Sequence, residues 1–379
     1  MIYLKKILLA VSIFVVVLSS CKEDEQTNIT GFSLESIVVP EGNDLQTQLI
    51  KVNIKGAVHS DVNVSYLLKA GSAKFGQDLI ETAGDILFTA NQTSVELPIE
   101  IIGDNHLELT EYFTIVLSYE GKQTELTISI QDDDLIEEIL VDEDGFFTPA
   151  EYPSMHLAFS DEFTGTQLNT SVWTYELGGG GWGNNELQRY TNTTANARLE
   201  DGKLIITALG SDGNYTSARV KTQGKVKVKY GRIDVRAKLP KGQGIWPAIW
   251  MLGESITTVS WPACGEIDIM ELVGHKPAQV HGTVHYSNGT YQTSSGSTNL
   301  SSGDFSEQFH VFSIVWDKNT ITWYLDNKPF KTFISNVATF ENDFFFLLNV
   351  AVGGNWPGSP NESTVFPQEL IVDYVRVFQ

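Results

Sequence analysis

The sequence predicts an all-β protein with two β-sandwich domains, the second of them a jelly roll. Apolar residues fall into short runs bounded by Gly, Asn and Asp, and no long amphipathic helix is visible in the 379 residues. Aromatic residues reach 11% and glycines number 32, which favours many short strands joined by tight turns. A chain of this length has room for two or three domains with cores of their own.

The first 20 residues have the layout of a secretory signal peptide. Two lysines precede an apolar run over residues 7–18, which is too short to span a bilayer comfortably. The Leu-Ser-Ser-Cys sequence at 18–21 resembles a bacterial lipobox, which implies cleavage before Cys21 and a lipid on its thiol. The acidic run at 22–25 resembles the export tag of surface lipoproteins in Bacteroidetes-type bacteria. We therefore expect an outer-membrane lipoprotein at the cell surface; the alternative is an ordinary signal peptide with an incidental cysteine.

The net charge of −22 is concentrated in the front part of the chain. Residues 22–144 contain 25 acidic and 6 basic residues, whereas residues 145–379 contain 22 and 17. This acidity argues against nucleic acid as a partner, and the nearly balanced second part suits an uncharged ligand. Because Cys21 belongs to the leader, Cys264 has no expected disulfide partner, and we interpret it as a small packed residue rather than a nucleophile.

Residues 28–134 are predicted to form one β-sandwich. The strand-like runs are 48–54, 62–68, 94–102, 112–119 and 125–130. The domain resembles Calx-beta domains, which implies an immunoglobulin-like sandwich, in the segments 39–42 (Val-Pro-Glu-Gly), 75–78 (Phe-Gly-Gln-Asp), 103–104, 108–113 and 132–134. Such domains can bind Ca²⁺ through clustered carboxylates at one end. The alternative is an acidic spacer that holds no metal.

An acidic linker over residues 135–155 is predicted to lead into the second domain, residues 156–379. The linker combines acidic residues with two prolines, a composition that suits an extended spacer. Two stacked antiparallel sheets are the natural closure for the many strands that follow. These strands are predicted at 204–208, 226–228, 231–239, 280–286, 309–316, 320–325, 344–350 and 370–377.

Residues 261–271 contain the candidate catalytic carboxylates. The Glu-Ile-Asp-Ile sequence at 266–269 alternates polar and apolar residues, which predicts a strand with Glu266 and Asp268 on one face. Glu271 joins that face if the strand has a one-residue bulge near residues 269–270. Three acids in one groove raise the pKa of one carboxyl while others stay ionised, as acid/base chemistry requires. The alternative is a solvated acidic edge strand.

Four tryptophans lie near this strand or in a later Gly-rich loop: Trp246, Trp250, Trp261 and Trp356. Indole rings beside Gly-rich turns make flat platforms for sugar rings. For each of them, packing in the core is the alternative.

The second domain contains several motifs that together are specific. They are Ser-Asp-Glu-Phe at 160–163, the Gly-rich segment 178–190, Tyr-Thr-Ser-Ala-Arg at 215–219, the segment 240–252, the acid strand and the loop 353–358. In these motifs, residues 156–379 closely resemble glycoside hydrolase family 16, and in particular its laminarinase-like endo-β-1,3-glucanases. The resemblance implies a concanavalin-like jelly roll.

The resemblance also implies a role for each acid. Glu266 resembles the nucleophile and Glu271 the acid/base, while Asp268 would hold Glu266 in place and tune its charge. The extra residue Met270 is typical of the bulged members of the family. Because the family retains anomeric configuration, the two Glu carboxyls are expected to lie roughly 5–5.5 Å apart.

The remaining site residues are carried over in the same way. Trp246, Trp250 and Trp261 would line the subsites nearest cleavage, with Trp356 as a further platform. Asn185, Arg219 and His285 resemble residues that contact sugar hydroxyls. The alternatives are, in the same order, a residue that caps a turn, a partner in an ion pair and a histidine packed in the core. Glu162, the Gly202 carbonyl and Asp373 resemble the ligands of a structural Ca²⁺, the alternative being that Asp373 merely ends a strand pairing.

We therefore expect a surface-anchored, retaining endo-β-1,3-glucanase that acts on laminarin-type β-glucan without a catalytic cofactor. The alternatives within the same fold are a mixed-linkage β-1,3-1,4-glucanase and an algal galactan hydrolase. A different class, a non-catalytic surface glycan-binding protein, is disfavoured because a binder has no use for three neighbouring acids.

Overall fold

The computed structural model describes residues 27–35, 37–104, 108–133, 140–152, 155–335 and 337–379. The predicted signal peptide and Cys21 lie outside these ranges. Strands dominate the described part, whose helices are single 3₁₀ turns at Glu254–Thr257 and Ala338–Glu341. Within the described ranges, no helix is long and apolar enough to cross a bilayer. The all-β fold class is confirmed.

The first domain is a sandwich of a three-stranded sheet, in the order β1-β3-β6, and a five-stranded sheet, in the order β2-β8-β7-β4-β5. Side chains alternate between buried and exposed along β3 and β6, so that Val52 and Ile99 face the core. The strands are β1 (Asn28–Leu34), β2 (Val38–Pro40), β3 (Leu45–Ala57), β4 (Val62–Ala70), β5 (Ala83–Phe88), β6 (Ser94–Ile102), β7 (Glu111–Tyr119) and β8 (Lys122–Gln131).

A two-stranded hairpin of β9 (Leu140–Asp142) and β10 (Gly145–Phe147) precedes the second domain. The strands of that domain are β11 (Leu157–Asp161), β12 (Thr174–Glu176), β13 (Arg189–Tyr190), β14 (Ala197–Glu200), β15 (Lys203–Ser211), β16 (Asn214–Ser217), β17 (Arg219–Lys221), β18 (Gly231–Lys238), β19 (Ile245–Gly253), β20 (Glu266–Glu271), β21 (Gln279–Ser287), β22 (Tyr291–Asn299), β23 (His310–Trp316), β24 (Thr320–Leu325), β25 (Lys328–Ile334), β26 (Phe344–Val352) and β27 (Gln368–Phe378).

Two large sheets enclose the core of the second domain. The ten-stranded sheet has the order β13-β16-β15-β27-β18-β23-β24-β25, with β11 paired to β27 and β14 paired to β15. The seven-stranded sheet has the order β12-β17-β26-β19-β20-β21-β22. The acid strand β20 therefore lies inside a sheet between β19 and β21, which excludes the solvated edge strand. The predicted jelly-roll closure is confirmed.

Residues 226–228 were predicted as a strand, and this prediction is wrong. The backbone amides of Lys225 and Val226 bond the Thr222 carbonyl at 2.9 and 3.1 Å, which closes a turn after β17. Val228 forms an isolated bridge with Phe344 instead of a ladder. Strand β22 was not predicted, because its sequence is almost entirely polar and small.

Residues 140–152 differ from the extended spacer expected for residues 135–155. The Arg236 guanidinium binds both Asp142 oxygens at 2.8 and 2.9 Å and the Phe146 carbonyl at 2.7 Å. The Phe146 amide donates to the Phe309 carbonyl at 2.9 Å, and the Thr148 amide donates to the Tyr374 hydroxyl at 2.8 Å. Hydrogen bonds thus tie residues 140–152 to the second domain, whereas composition alone indicated an extended spacer.

We expect a chain that starts at residue 150 to unfold at a lower temperature than one that starts at residue 140. The shorter chain loses Asp142 and the Phe146 carbonyl, so that Arg236 keeps Asp373 as its one ionic partner among the described residues. Thermal unfolding of the two truncated proteins followed by circular dichroism measures the difference. Equal melting temperatures would show that the hairpin does not contribute to the stability of this domain.

Candidate active site

The bulge expected in β20 is present. Trp250 of β19 pairs with Asp268 and Ile249 pairs with Met270, so that Ile269 has no partner on this side. On the other side, β21 presents His285, Thr283 and His281 to the three acids in turn. Because these β21 residues are spaced by two, they share one face of the sheet, and so do Glu266, Asp268 and Glu271.

Two tryptophans hold the two glutamates. The Trp261 indole N–H donates to Glu266 Oε2 at 2.9 Å, and the Trp246 indole N–H donates to Glu271 Oε1 at 3.0 Å. Each hydrogen bond occupies one oxygen of the carboxyl group and restricts the rotation of that group. The second oxygen of each glutamate is therefore oriented by its indole for reaction.

Asp268 lies between the glutamates and is 3% exposed. Its Oδ2 atom is 3.3 Å from His285 Nε2, which is also 3.8 Å from Glu266 Oε1. The other ring nitrogen of His285 lies 2.8 Å from the Tyr291 hydroxyl, and the two rings are stacked. The predicted sugar-contact residue His285 is thus placed against the acids.

Burial raises the pKa of all three carboxyls, to about 8 in each case. The charge of Asp268 raises the pKa of both glutamates further, whereas the indole hydrogen bonds and His285 lower it. Three neighbouring acids cannot all be charged at neutral pH, so the group keeps protons. An indole hydrogen bond and His285 favour charge on Glu266 and on Glu271 alike, so we expect the retained protons to be shared within the group.

This arrangement supplies what glycoside hydrolysis requires. It places two carboxyl groups with raised pKa, Glu266 and Glu271, on one face of a rigid strand, and each keeps one oxygen that no indole binds. Exposed indoles flank the acids: Trp261 lies beside Glu266, and Trp356 packs edge-on against Trp246 at the Glu271 end. A polymer lying along these rings would cross both glutamates.

Trp250 is fixed by a chain of hydrogen bonds behind the groove. Its indole N–H donates to Asn349 Oδ1 at 2.8 Å, and the Asn349 amide donates to the Tyr190 hydroxyl at 3.1 Å. Tyr190 lies 3.4 Å from Glu186, whose pKa is raised by burial. The chain connects the Gly-rich segment 178–190 to the strand beside Asp268.

Arg219 lies in this wall as a stacked cation. Its guanidinium is 5.0 Å from the ring centre of Trp182 and 4.8 Å from that of Trp250. Its Nε atom is 2.5 Å from Glu176, which also binds Lys221 at 2.7 Å. The ion-pair alternative for Arg219 is therefore present, and its contact with sugar hydroxyls stays a prediction.

Asn185 lies where two loops meet. Its side-chain amide donates to Asn355 Oδ1 at 2.8 Å. The backbone N–H of Asn355 donates in turn to the Asn184 backbone carbonyl at 2.8 Å. Asn185 has a φ of 57°, a left-handed conformation that Asn tolerates better than most residues. These bonds hold the Gly-rich loop against the loop that carries Trp356.

Trp323 was missed by sequence reasoning. It is fully buried on β24 of the opposite sheet, and its indole N–H crosses the core to the Asp268 backbone carbonyl at 2.8 Å. A side chain at Gly282 would collide with its ring, at 2.3 Å from the nearest carbon. Trp323 thereby anchors β20 at the bulge. Its sequence context, an alternating strand, gave no signal beyond core packing.

The predicted Ca²⁺ ligands face arginines. Both oxygens of Glu162 accept hydrogen bonds from Arg376 at 2.8 Å, and Asp373 Oδ2 accepts one from Arg236 at 2.7 Å. Gly202 lies in the turn between β14 and β15. Because a guanidinium already neutralises each carboxylate, these residues do not fit a divalent cation in this arrangement.

A second acidic group lies in the first domain. Oxygen atoms of Asp78, Glu108 and Glu111 are all within 4.8 Å of one another. Burial, followed by a hydrogen bond with Asp78, raises the pKa of Glu111 to about 8. Hard carboxylate oxygens at this spacing suit a cation such as Ca²⁺, whereas a proton on Glu111 also relieves the repulsion.

The chain matches two family models. The model of glycosyl hydrolases family 16 matches residues 182–375, which is more than half of the chain, and the model of the Calx-beta domain matches residues 23–144. These matches confirm the predicted family, the glycoside hydrolase class and the Calx-beta domain. The boundaries of the domains stay predictions.

Two relatives and one solved structure are similar to the second domain. A beta-glucanase of Rhodothermus marinus is 42% identical over 248 residues, covering 60% of this chain and 86% of that protein. Glucan endo-1,3-beta-glucosidase A1 of Niallia circulans is 40% identical, but this chain spans 38% of its length. The laminarinase catalytic domain of Thermotoga maritima is 44% identical with a TM-score of 0.55, covering 59% of this chain and 98% of that domain. Since the bulged acid strand lies within the matched residues, the chain belongs to glycosyl hydrolases family 16.

Proposed function

We propose that this protein is an endo-β-1,3-glucanase that hydrolyses laminarin-type β-glucan with retention of configuration. The observation that carries the proposal is the bulged strand β20, where Glu266 and Glu271 share one face and each is held by an indole N–H. Two relatives support the substrate class by their names: the laminarinase of Thermotoga maritima and the glucan endo-1,3-beta-glucosidase of Niallia circulans.

In the proposed mechanism, the reaction proceeds by two displacements. Glu266 attacks the anomeric carbon while the bond from that carbon to the glycosidic oxygen breaks and Glu271 protonates the departing oxygen, which gives a glycosyl-enzyme and a released sugar chain. Water then attacks the anomeric carbon while Glu271, now a base, takes a proton from it; the bond to Glu266 breaks and the sugar leaves with its configuration retained. Asp268 and His285 adjust the charge on Glu266 between the two steps. None of these steps needs a cofactor.

The intact protein should release oligosaccharides of several sizes from laminarin, because exposed indoles at both ends of the acid pair suit internal cleavage. Product profiles on laminarin, mixed-linkage β-glucan and a neutral agarose-type galactan test the substrate class. A higher kcat/KM on mixed-linkage glucan or galactan would replace the proposal by one of its alternatives. Tight binding of laminarin with no turnover by the folded protein would indicate a glycan-binding protein.

We also propose an outer-membrane location through a lipid on Cys21. The support comes from the lipobox-like sequence at 18–21 and the acidic run after it. In cells that express the full chain, Cys21→Ser should abolish labelling with a fatty-acid analogue and release the protein from the membrane fraction. Unchanged labelling and membrane retention would remove the anchor from the proposal.

Calcium has no part in the proposed chemistry, and a structural Ca²⁺ stays a prediction. The group of Asp78, Glu108 and Glu111 offers three carboxylates to a cation. Glu162 and Asp373 are instead paired with arginines. The first domain therefore fits such an ion better than the predicted ligands of the second.

A further inference from the structure

The acid face of the groove brings together donor atoms that could also hold a metal ion. Glu266, Asp268 and His285, here called the acid–imidazole cluster, place two oxygens and one nitrogen within 4.8 Å of one another. His285 Nε2 is 3.3 Å from Asp268 Oδ2 and 3.8 Å from Glu266 Oε1. A tetrahedral ion with bonds of about 2.0–2.1 Å needs donors roughly 3.3 Å apart.

A second observation points into the same space. Asp268 is 3% exposed, and its Oδ2 atom forms no hydrogen bond of acceptable geometry with any described residue. A buried carboxylate oxygen without such a bond is costly, and a cation at this point would satisfy it. Glu266 Oε2 is bound by Trp261, which leaves Oε1 directed to the cluster.

We propose that the acid–imidazole cluster binds one divalent transition-metal ion, with Zn²⁺ and Cu²⁺ as the best fits, and that the bound ion blocks hydrolysis. One imidazole nitrogen with two carboxylate oxygens suits these borderline ions better than Mg²⁺ or Ca²⁺. The ion would occupy the Glu266 oxygen that attacks the sugar. Inhibition is therefore competitive with the glucan.

The surroundings of His285 prepare its Nε2 atom for such an ion. Tyr291 lies 2.8 Å from Nδ1, so the hydroxyl can accept the Nδ1 proton and leave the Nε2 lone pair free. Outer hydrogen bonds of this kind orient metal-binding imidazoles, and their loss weakens metal affinity by about 10–100-fold. Tyr291 is thus the residue that tunes affinity without being a ligand.

Calorimetric titration of the intact, tag-free protein with ZnCl₂ tests binding without any substrate. We expect one site in this cluster, lost in His285→Gln and weakened about 10–100-fold in Tyr291→Phe. His281→Gln is the matched control, because His281 lies on the same strand face but outside the cluster, and it should keep the site. Near-UV circular dichroism establishes that each variant is folded.

Cu²⁺ electron paramagnetic resonance distinguishes this cluster from the acidic group of the first domain. Bound at the cluster, Cu²⁺ should show coupling to one imidazole nitrogen, which Asp78, Glu108 and Glu111 cannot supply. Laminarin should displace the ion, and EDTA should restore full activity to the inhibited protein. Zn²⁺ binding that survives in His285→Gln, or inhibition that is not competitive, would overturn the proposal. Either result leaves the metal-free hydrolysis measurement unaffected.

Discussion

Glu271→Ala and Glu266→Ala should each reduce laminarin hydrolysis by several orders of magnitude. The first variant lacks the proton donor, a contribution of about 10²–10⁴-fold by itself, and the second lacks the covalent path. Initial rates on laminarin, followed by reducing-sugar release, measure both losses. Because each glutamate is bonded to an indole, Glu→Gln variants at the same positions serve as controls that keep the volume of the side chain.

A good leaving group should separate the two variants. A nitrophenyl glycoside of a β-1,3-oligomer needs little protonation, so Glu271→Ala should still release nitrophenol in a burst as the glycosyl-enzyme forms. Glu266→Ala should show no burst. Equal rates for both variants on this substrate would contradict the assignment of distinct roles.

Asp268→Asn should lower kcat by about 10²-fold while KM changes little, because Asp268 positions and tunes Glu266 rather than holding sugar. Relative to the wild type, the same variant should become more stable as the pH rises. Burial raises the pKa of Asp268 to about 8 in the folded protein, far above its value in the unfolded chain. Between about pH 4 and 8 the unfolded state therefore releases this proton more readily, and the wild type loses stability that the amide variant keeps.

Melting temperatures of the two proteins at pH 5 and pH 8 measure this effect. The variant should be more stable by a few degrees at pH 8, with a smaller difference at pH 5. The groups that face Asp268 are Glu266, Glu271 and His285, and all of them are present in both proteins. A difference that shrinks as the pH rises would show that Asp268 is ionised without cost in the native state.

The sequence predicted the structure of a strand correctly where the alternation of polar and apolar residues lay within that strand. The Glu-Ile-Asp-Ile alternation puts Glu271 on the opposite face from Glu266 and Asp268 unless the strand has a bulge. The register of β19 against β20 places this bulge at Ile269. The pairing of Trp261 and Trp246 with the two glutamates was not predictable in the same way. Those hydrogen bonds depend on how a loop and a neighbouring strand return to β20.

Contacts between distant segments escaped prediction for the same reason. Trp323 reaches Asp268 from the opposite sheet, and Asn349 connects Trp250 to Tyr190 from β26. Residues 140–152 have the composition of a linker, yet Arg236 donates hydrogen bonds to Phe146 and Asp142 in this segment. These two residues lie 90 or more positions from Arg236 along the chain. The composition of a segment indicates its conformation in isolation. The positions of these residues depend instead on hydrogen bonds to residues that are distant in the sequence.

The stereochemistry of azide products tests the central claim, that Glu266 attacks and Glu271 moves the proton, most directly. With the nitrophenyl oligomer, Glu271→Ala should form the glycosyl-enzyme, and azide in the vacated space should release it as the β-glycosyl azide. Glu266→Ala cannot form that intermediate, so azide should enter from the opposite face and give the α-azide. Proton magnetic resonance of the two products reads the configuration of each. An α-azide from Glu271→Ala together with a β-azide from Glu266→Ala would contradict the assignment and reverse the two roles.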